Sequence, residues 1–117
     1  MIVQKGKYGE KVIVTDHSEV KGKRRVGIGK NTMKMMKKAI AFGLGLNNAK
    51  GELLEFIQRK FDNHKTANMI RVYGHSVYVI KRTSYSYKLL TILDLPEYYH
   101  KFWDGYSRKY LQGGKNG

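Results

Sequence analysis

The sequence predicts an α+β domain in which two N-terminal helices pack on a three- to four-stranded antiparallel sheet, followed by a C-terminal helix. Apolar residues recur at helical spacing up to residue 62 and then at a period of two from Ile70. The chain has 117 residues and a single proline, which suits one hydrophobic core without a linker. We therefore expect one domain over residues 1–112 and a flexible, glycine-rich tail over residues 113–117.

The segment before residue 30 gives a weak structural signal. Residues 11–15, KVIVT, are apolar enough for a short strand or for the approach to a first helix. Residues 16–25 offer Asp16 as an N-cap, but Gly22 lies inside any helix drawn there. A glycine in a helix interior costs about 1 kcal/mol relative to alanine, so the pattern predicts only a short or irregular helix.

Two clearer helices follow. The first is predicted over residues 32–43, and its apolar face is formed by Met33, Met36 and Ile40. The second is predicted from about Ala49 to Asp62, and its apolar stripe is formed by Leu53, Phe56, Ile57 and Phe61. Both stripes require a partner surface, which the following strands supply.

A β-hairpin is predicted from Ile70 onward. Glycine at the first position of the two-residue loop Gly74-His75 is typical of a type II′ turn. This turn places Arg71 directly opposite Tyr78 on the neighbouring strand. A third strand is predicted in the run KLLTILDL, and Pro96 suits the first turn of the final helix.

One face of this hairpin is expected to remain open. Valine and isoleucine at alternate positions should pack on the helices, which leaves Arg71, Tyr73 and Tyr78 on the other face. Tyrosine rings stack on unpaired bases and a guanidinium binds phosphate, so these residues and the nearby Lys81 form a candidate RNA platform. The alternative is an ordinary solvated face with a cation–π pair.

Net charge is the strongest functional signal. The chain contains 23 Lys and Arg against 9 Asp and Glu, which gives a net charge of +14 and a pI of about 10.0. Such an excess destabilises a compact state by self-repulsion unless a polyanion offsets it. RNA or a ribonucleoprotein is therefore the expected partner, with a host protein as a further possible target.

Other partners and compartments receive less support. The chain has no cysteine, so it has no disulfide and no thiolate metal site. No apolar run approaches the roughly 20 residues of a membrane span, and no signal peptide is recognisable. We expect a cytoplasmic protein that needs neither cofactor nor metal and does not bind membranes; its oligomeric state is left open.

Basic residues are concentrated between residues 21 and 38 without an intervening acid. A solvated helix face usually interleaves both signs, so this run is better interpreted as a phosphate-contacting surface. The alternative is a repulsive but harmless surface. Its members are Lys21, Lys23, Arg24, Arg25, Lys30, Lys34, Lys37 and Lys38.

His17 is the candidate general acid or base, because it stands just before this basic run. If residues 16–25 are helical, His17 lies in one sector with Lys21, Arg24 and Arg25. A proton donor beside cations is what metal-free RNA cleavage needs. The alternative is a plain surface histidine.

The segments VTDHSEVKGKRRVGIGK, KGELLEFI, ANMIRVYGHSVYVI and KLLTILDLP, within about residues 12–96, resemble a group of small phage and Firmicutes proteins. Those proteins are similar to the barnase–EndoU–colicin–RelE superfamily of metal-independent endoribonucleases and toxins. The resemblance implies an RNase-like domain with helices on one face of an antiparallel sheet and RNA on the other. It assigns His17 with Arg24 and Arg25 to the family's histidine–arginine position. The glutamate that many members use as general base has no clear counterpart.

The leading hypothesis is an RNA-binding domain whose activity, where it has one, is metal-independent RNA cleavage by His17, Arg25 and Arg71. The alternative is a non-catalytic phage or mobile-element protein that inhibits a host polymerase, ribosome or CRISPR-type defence nuclease. A ribosome-associated structural protein is a third hypothesis. The residues alone do not decide among the three.

Overall fold

The computed structural model describes residues 2–5, 10–14 and 30–112. The glycine-rich tail lies outside these ranges, as do five predicted site residues, namely His17, Lys21, Lys23, Arg24 and Arg25. Lys30 is described by its backbone alone. The roles proposed for these residues therefore stay predictions.

The α+β class is confirmed, but the sheet is larger than predicted and is mixed. It has five strands in the order β1-β2-β5-β4-β3. Neighbouring strands are antiparallel except for β2 and β5, which are parallel. The strands are β1 (Ile2–Lys5), β2 (Lys11–Val14), β3 (Met69–Tyr73), β4 (Ser76–Arg82) and β5 (Ser86–Asp94).

Helices cover both faces of the sheet. The predicted helices occur as α1 (Lys30–Phe42) and α2 (Gly51–Asp62). The C-terminal part starts with a 3₁₀ turn and contains α3 (His100–Tyr106) and a π-helical turn (Ser107–Gln112). In the described residues, none of the helices is long and apolar enough to cross a membrane.

The expectation that α1 and α2 pack on the same face is wrong. Met33, Met36 and Ala39 of α1 pack on one face of the sheet, which we call the α1 face. Leu53, Phe56 and Ile57 of α2 and Trp103 of α3 pack on the other face, which we call the α2 face. The reason is that β3 and β4 present apolar side chains in both directions, so each face requires cover.

The predicted hairpin is confirmed in register and in turn type. Ile70 pairs with Val79, and Arg71 pairs with Tyr78. Gly74 has a φ of 65°, whereas His75 has no positive φ. A positive φ at the first loop position alone defines a type II′ turn, which explains the glycine there.

The prediction that Tyr78 lies on an open face is wrong. Its side chain is 0% exposed and packs in the core between the sheet and α1. Tyr73 and Arg71, on the same face, are half-buried. The Tyr73 ring, at the turn end of β3, contacts the cores on both faces and meets Trp103 edge to face, with 5.1 Å between ring centroids. Met33 and Met36 of α1 are buried against this face of the sheet. The face that the alternation pattern predicted to be open for RNA is therefore covered by α1.

The Tyr78 hydroxyl has no hydrogen-bond partner in the described part of the chain. Burial, together with the neighbouring Tyr73, raises its pKa above the ordinary tyrosine value. A neutral hydroxyl without a partner adds a desolvation penalty to an otherwise favourable aromatic contact.

Tyr78→Phe is therefore expected to leave the free energy of unfolding unchanged or to raise it by about 1 kcal/mol, because it removes only the unpartnered hydroxyl. Tyr78→Ala should lower it by about 3–5 kcal/mol through the cavity that it creates. Urea denaturation of the three proteins measures both changes. A clear loss of stability in Tyr78→Phe would mean that the hydroxyl is hydrogen-bonded.

Candidate nucleic-acid interface

A lysine-rich surface lies on the part of the α2 face that the helices leave uncovered. Val12, Val14 and Leu89 point into the α1 core, so alternate residues of the same strands point the other way. Strand pairing then aligns side chains from four neighbouring strands. We call this surface the basic sheet face, formed by Val3, Lys5, Lys11, Ile13, Lys81 and Lys88.

The basic sheet face is accessible. All four of its lysines are exposed, Val3 is 46% exposed and Ile13 is half-buried. The core that α2 and α3 form on this side of the sheet includes residues of β3, β4 and β5 but none of the described residues of β1 and β2. In the described residues, α2 and α3 therefore do not cover the part of this face on which the lysines lie.

Like charges face one another on this surface. Lys5 is directly opposite Lys11, and Lys81 is directly opposite Lys88. No carboxylate projects from this face of strands β1, β2, β4 and β5 as they are described. Directly opposed like charges destabilise a sheet, so the arrangement favours an anion that bridges them.

Of the predicted interface residues whose side chains the structure describes, Lys81 lies on the basic sheet face. Lys5, Lys11 and Lys88 were missed. Lys11 lies on β2 and Lys88 on β5, two strands that are far apart in sequence. These strands are parallel neighbours in the sheet, and Ile13 of β2 pairs with Lys88. The alternation of apolar and polar residues predicts that each lysine faces solvent, but no pattern of neighbouring residues indicates that the two lysines share a surface.

The predicted lysines of α1 lie on the opposite side of the molecule. Lys34 is exposed, and Lys37 and Lys38 are half-buried on the helix that covers the α1 face. The Lys37 Nζ donates a hydrogen bond of 2.6 Å to Gln4 Oε1, which ties α1 to strand β1. The lysines predicted on α1 and the predicted Lys81 therefore lie on different faces of the sheet.

Arg71, the third predicted catalytic residue, belongs to neither surface. It points to the α1 face, away from Lys81, and lines a small cavity beside the outer edge of β3 together with Arg82. Burial lowers its pKa below the usual arginine value.

A histidine cluster at the other end of β4 was not predicted. His75, in the hairpin turn, donates from Nε2 to Asp104 Oδ1 of α3 at 2.9 Å. The His75 ring stacks on His100 with 3.7 Å between centroids and 7° between planes. His100 Nε2 donates to the Leu95 carbonyl at 2.7 Å. With Nε2 as the donor, Nδ1 is the acceptor of each ring in the neutral state.

Sequence separation explains why this cluster was missed, since Asp104 lies 29 residues after His75. His75 and Asp104 are 48% and 46% exposed, so substrate can reach them. In the described ranges, no group of three or more His, Cys, Asp and Glu side chains is arranged to hold a metal ion.

Comparison with protein-family models, curated proteins and solved structures gives no match to this chain. The resemblance to the barnase–EndoU–colicin–RelE superfamily therefore remains a prediction, and the geometry alone supports a functional proposal.

Lys88→Gln is expected to raise the free energy of unfolding by about 0.2–1 kcal/mol at low salt, because it relieves repulsion with Lys81. The gain should disappear at about 1 M salt, where the Debye length is about 3 Å. Lys109→Gln, on the exposed C-terminal turn, makes the same charge change away from this face and is the control. An equal gain in both variants would assign the effect to net charge instead.

Proposed function

We propose that this chain binds RNA through the basic sheet face. The proposal rests on two pairs of directly opposed lysines on an exposed surface. Lys5 faces Lys11, and Lys81 faces Lys88. A phosphodiester backbone placed between the pairs offsets both repulsions. The net charge of +14 adds long-range attraction for the same ligand.

The composition of the face indicates how RNA is held. Lysine is a point charge that contacts phosphate without reading bases. Val3 and Ile13 offer small apolar surfaces between the lysines, and the exposed side chains of this face in the described strands include no aromatic ring. We therefore propose backbone-directed binding of RNA with little sequence preference.

Neutralising Lys81 and Lys88 together to glutamine should weaken RNA binding and reduce its salt dependence. Removing one lysine–phosphate interaction lowers the slope of log K against log salt by about 0.7 for a single strand, and removing two lowers it by about 1.4. Fluorescence anisotropy with an unstructured RNA at several salt concentrations measures this slope.

The matched control is Lys101→Gln with Lys109→Gln, which removes the same charge from the C-terminal helical segment. A third variant, Lys34→Gln with Lys38→Gln, tests the α1 surface. If the control reduces the slope as much as the Lys81 and Lys88 variant does, binding does not depend on the basic sheet face. If only the α1 variant reduces it, RNA binds the opposite side of the molecule.

A second candidate function is metal-independent RNA cleavage, and the His75–Asp104 pair is the observation that favours it. Asp104 accepts from His75 Nε2 and so holds the ring and leaves Nδ1 as the acceptor of the neutral imidazole. An imidazole held in this way is suited to accept a proton from a ribose 2′-hydroxyl. The stacked His100 places a second imidazole within 3.7 Å of the first, measured between ring centroids.

His75→Ala is expected to reduce RNA cleavage in EDTA by at least about 100-fold, the usual contribution of general acid–base catalysis, while leaving RNA affinity unchanged. Gel analysis of a labelled RNA incubated with each protein measures cleavage. His64→Ala is the control, and Asp104→Asn should give an intermediate loss. If only His17→Ala loses RNA cleavage, the catalytic site includes His17, which lies outside the described residues. If no protein cleaves the RNA, the chain binds RNA without catalysis.

A further inference from the structure

A cavity of about 190 Å³ lies beside the outer edge of β3. Two arginines, Arg71 and Arg82, and two asparagines, Asn47 and Asn68, supply its polar lining, and the remaining lining residues are apolar. No carboxylate of the described residues contributes to it. Two guanidinium groups thus share one small space without a negative charge between them.

The two charges act on each other. Arg71 forms no ion pair with a carboxylate in the described part of the chain, and its pKa is lowered by burial and further by the charge of Arg82. A half-buried cation beside a second cation is costly unless an anion or a hydrogen-bond acceptor compensates for it. In the described part of the chain, Arg71 Nη1 donates one such hydrogen bond, to the Ile70 carbonyl at 3.1 Å.

Both arginines are held in place by their surroundings. A Cβ on Gly45 would collide with the Arg71 guanidinium, so glycine there provides the space that this side chain occupies. Asn68 accepts from the Arg82 backbone N–H at 2.6 Å and donates to the Arg82 carbonyl at 2.8 Å. The Arg82 guanidinium lies 5.7 Å from the centroid of the Tyr87 ring. These contacts fix the end of β4 and position the two guanidinium groups at the cavity.

We propose that Arg71 and Arg82 form a binding site for a phosphate group of RNA. Planar guanidinium groups bind phosphate oxygens in a bidentate manner, and the asparagine amides add further polar lining. The cavity is smaller than the roughly 300–1,000 Å³ of pockets that enclose whole ligands, so it takes the phosphate and leaves the nucleoside outside.

The position of the site fits RNA bound elsewhere on the protein, and to that extent the inference rests on the proposed function. Lys81 and Arg82 are consecutive residues of β4 that point to opposite faces of the sheet. β4 extends beyond the paired part of β3 at Arg82, since the β3–β4 pairing ends at Met69 and Ile80. An RNA strand on the basic sheet face at Lys81 would therefore reach the cavity by crossing the end of β4 at Arg82.

The first test uses inorganic phosphate, which does not depend on RNA binding. At constant ionic strength, phosphate should stabilise the wild-type protein relative to chloride, and at ten times Kd it should shift the unfolding equilibrium about elevenfold. Arg82→Gln, an exposed position, should weaken phosphate binding at least tenfold without affecting the fold. Arg71→Gln should do the same, and Arg59→Gln on α2, which removes an equal charge, is the control.

The second test compares one RNA with and without a 5′-phosphate. Tighter binding of the phosphorylated RNA that disappears in Arg82→Gln identifies a terminal phosphate as the ligand. Equal binding of the two RNAs, weakened in Arg82→Gln but not in Arg59→Gln, identifies a backbone phosphate. If phosphate gives no stabilisation and Arg82→Gln binds both RNAs like the control, the site is excluded, whereas binding to the basic sheet face is unaffected by that result.

Discussion

Burial of both faces of the β3–β4 hairpin is the constraint on which the rest of the structure depends. Tyr78 and Ile80 are covered by α1, and Val77 and Val79 are covered by α2 and α3. The charged side chains of these strands lie in two other places. Lys81 belongs to the basic sheet face, and Arg71 and Arg82 line the cavity beside the outer edge of β3, which we call the arginine cavity.

Features encoded by neighbouring residues were predictable. The two helices follow from apolar spacing, and the hairpin register follows from one glycine at a two-residue loop. The side of the sheet on which each helix packs was not predictable, because β4 is apolar in both directions and tyrosine suits a core as well as an open face. Burial of Tyr78 in particular depends on α1, which no local pattern assigns to that side.

Long-range pairing limited prediction of the candidate sites. Residue type alone made Lys81 and Arg71 candidate phosphate ligands, but their grouping on one platform required a face that α1 covers. The basic sheet face depends on the parallel pairing of β2 with β5, whose strands are separated by two helices and a hairpin. The pairing of His75 with Asp104 similarly requires the C-terminal helix to fold back onto the hairpin turn.

The distance between these sites constrains how they can cooperate. His75 precedes Lys81 by six residues, so along the extended strand they are separated by about 20 Å at about 3.3 Å per residue. Arg82, in contrast, is the neighbour of Lys81 in the same strand. Because Lys81 and Arg82 point to opposite faces, an RNA that uses both proposed sites has to pass around the end of β4, whereas one that reaches His75 needs additional nucleotides along β4. Binding and cleavage should consequently differ in the RNA length that they require, because they depend on opposite ends of the same strand.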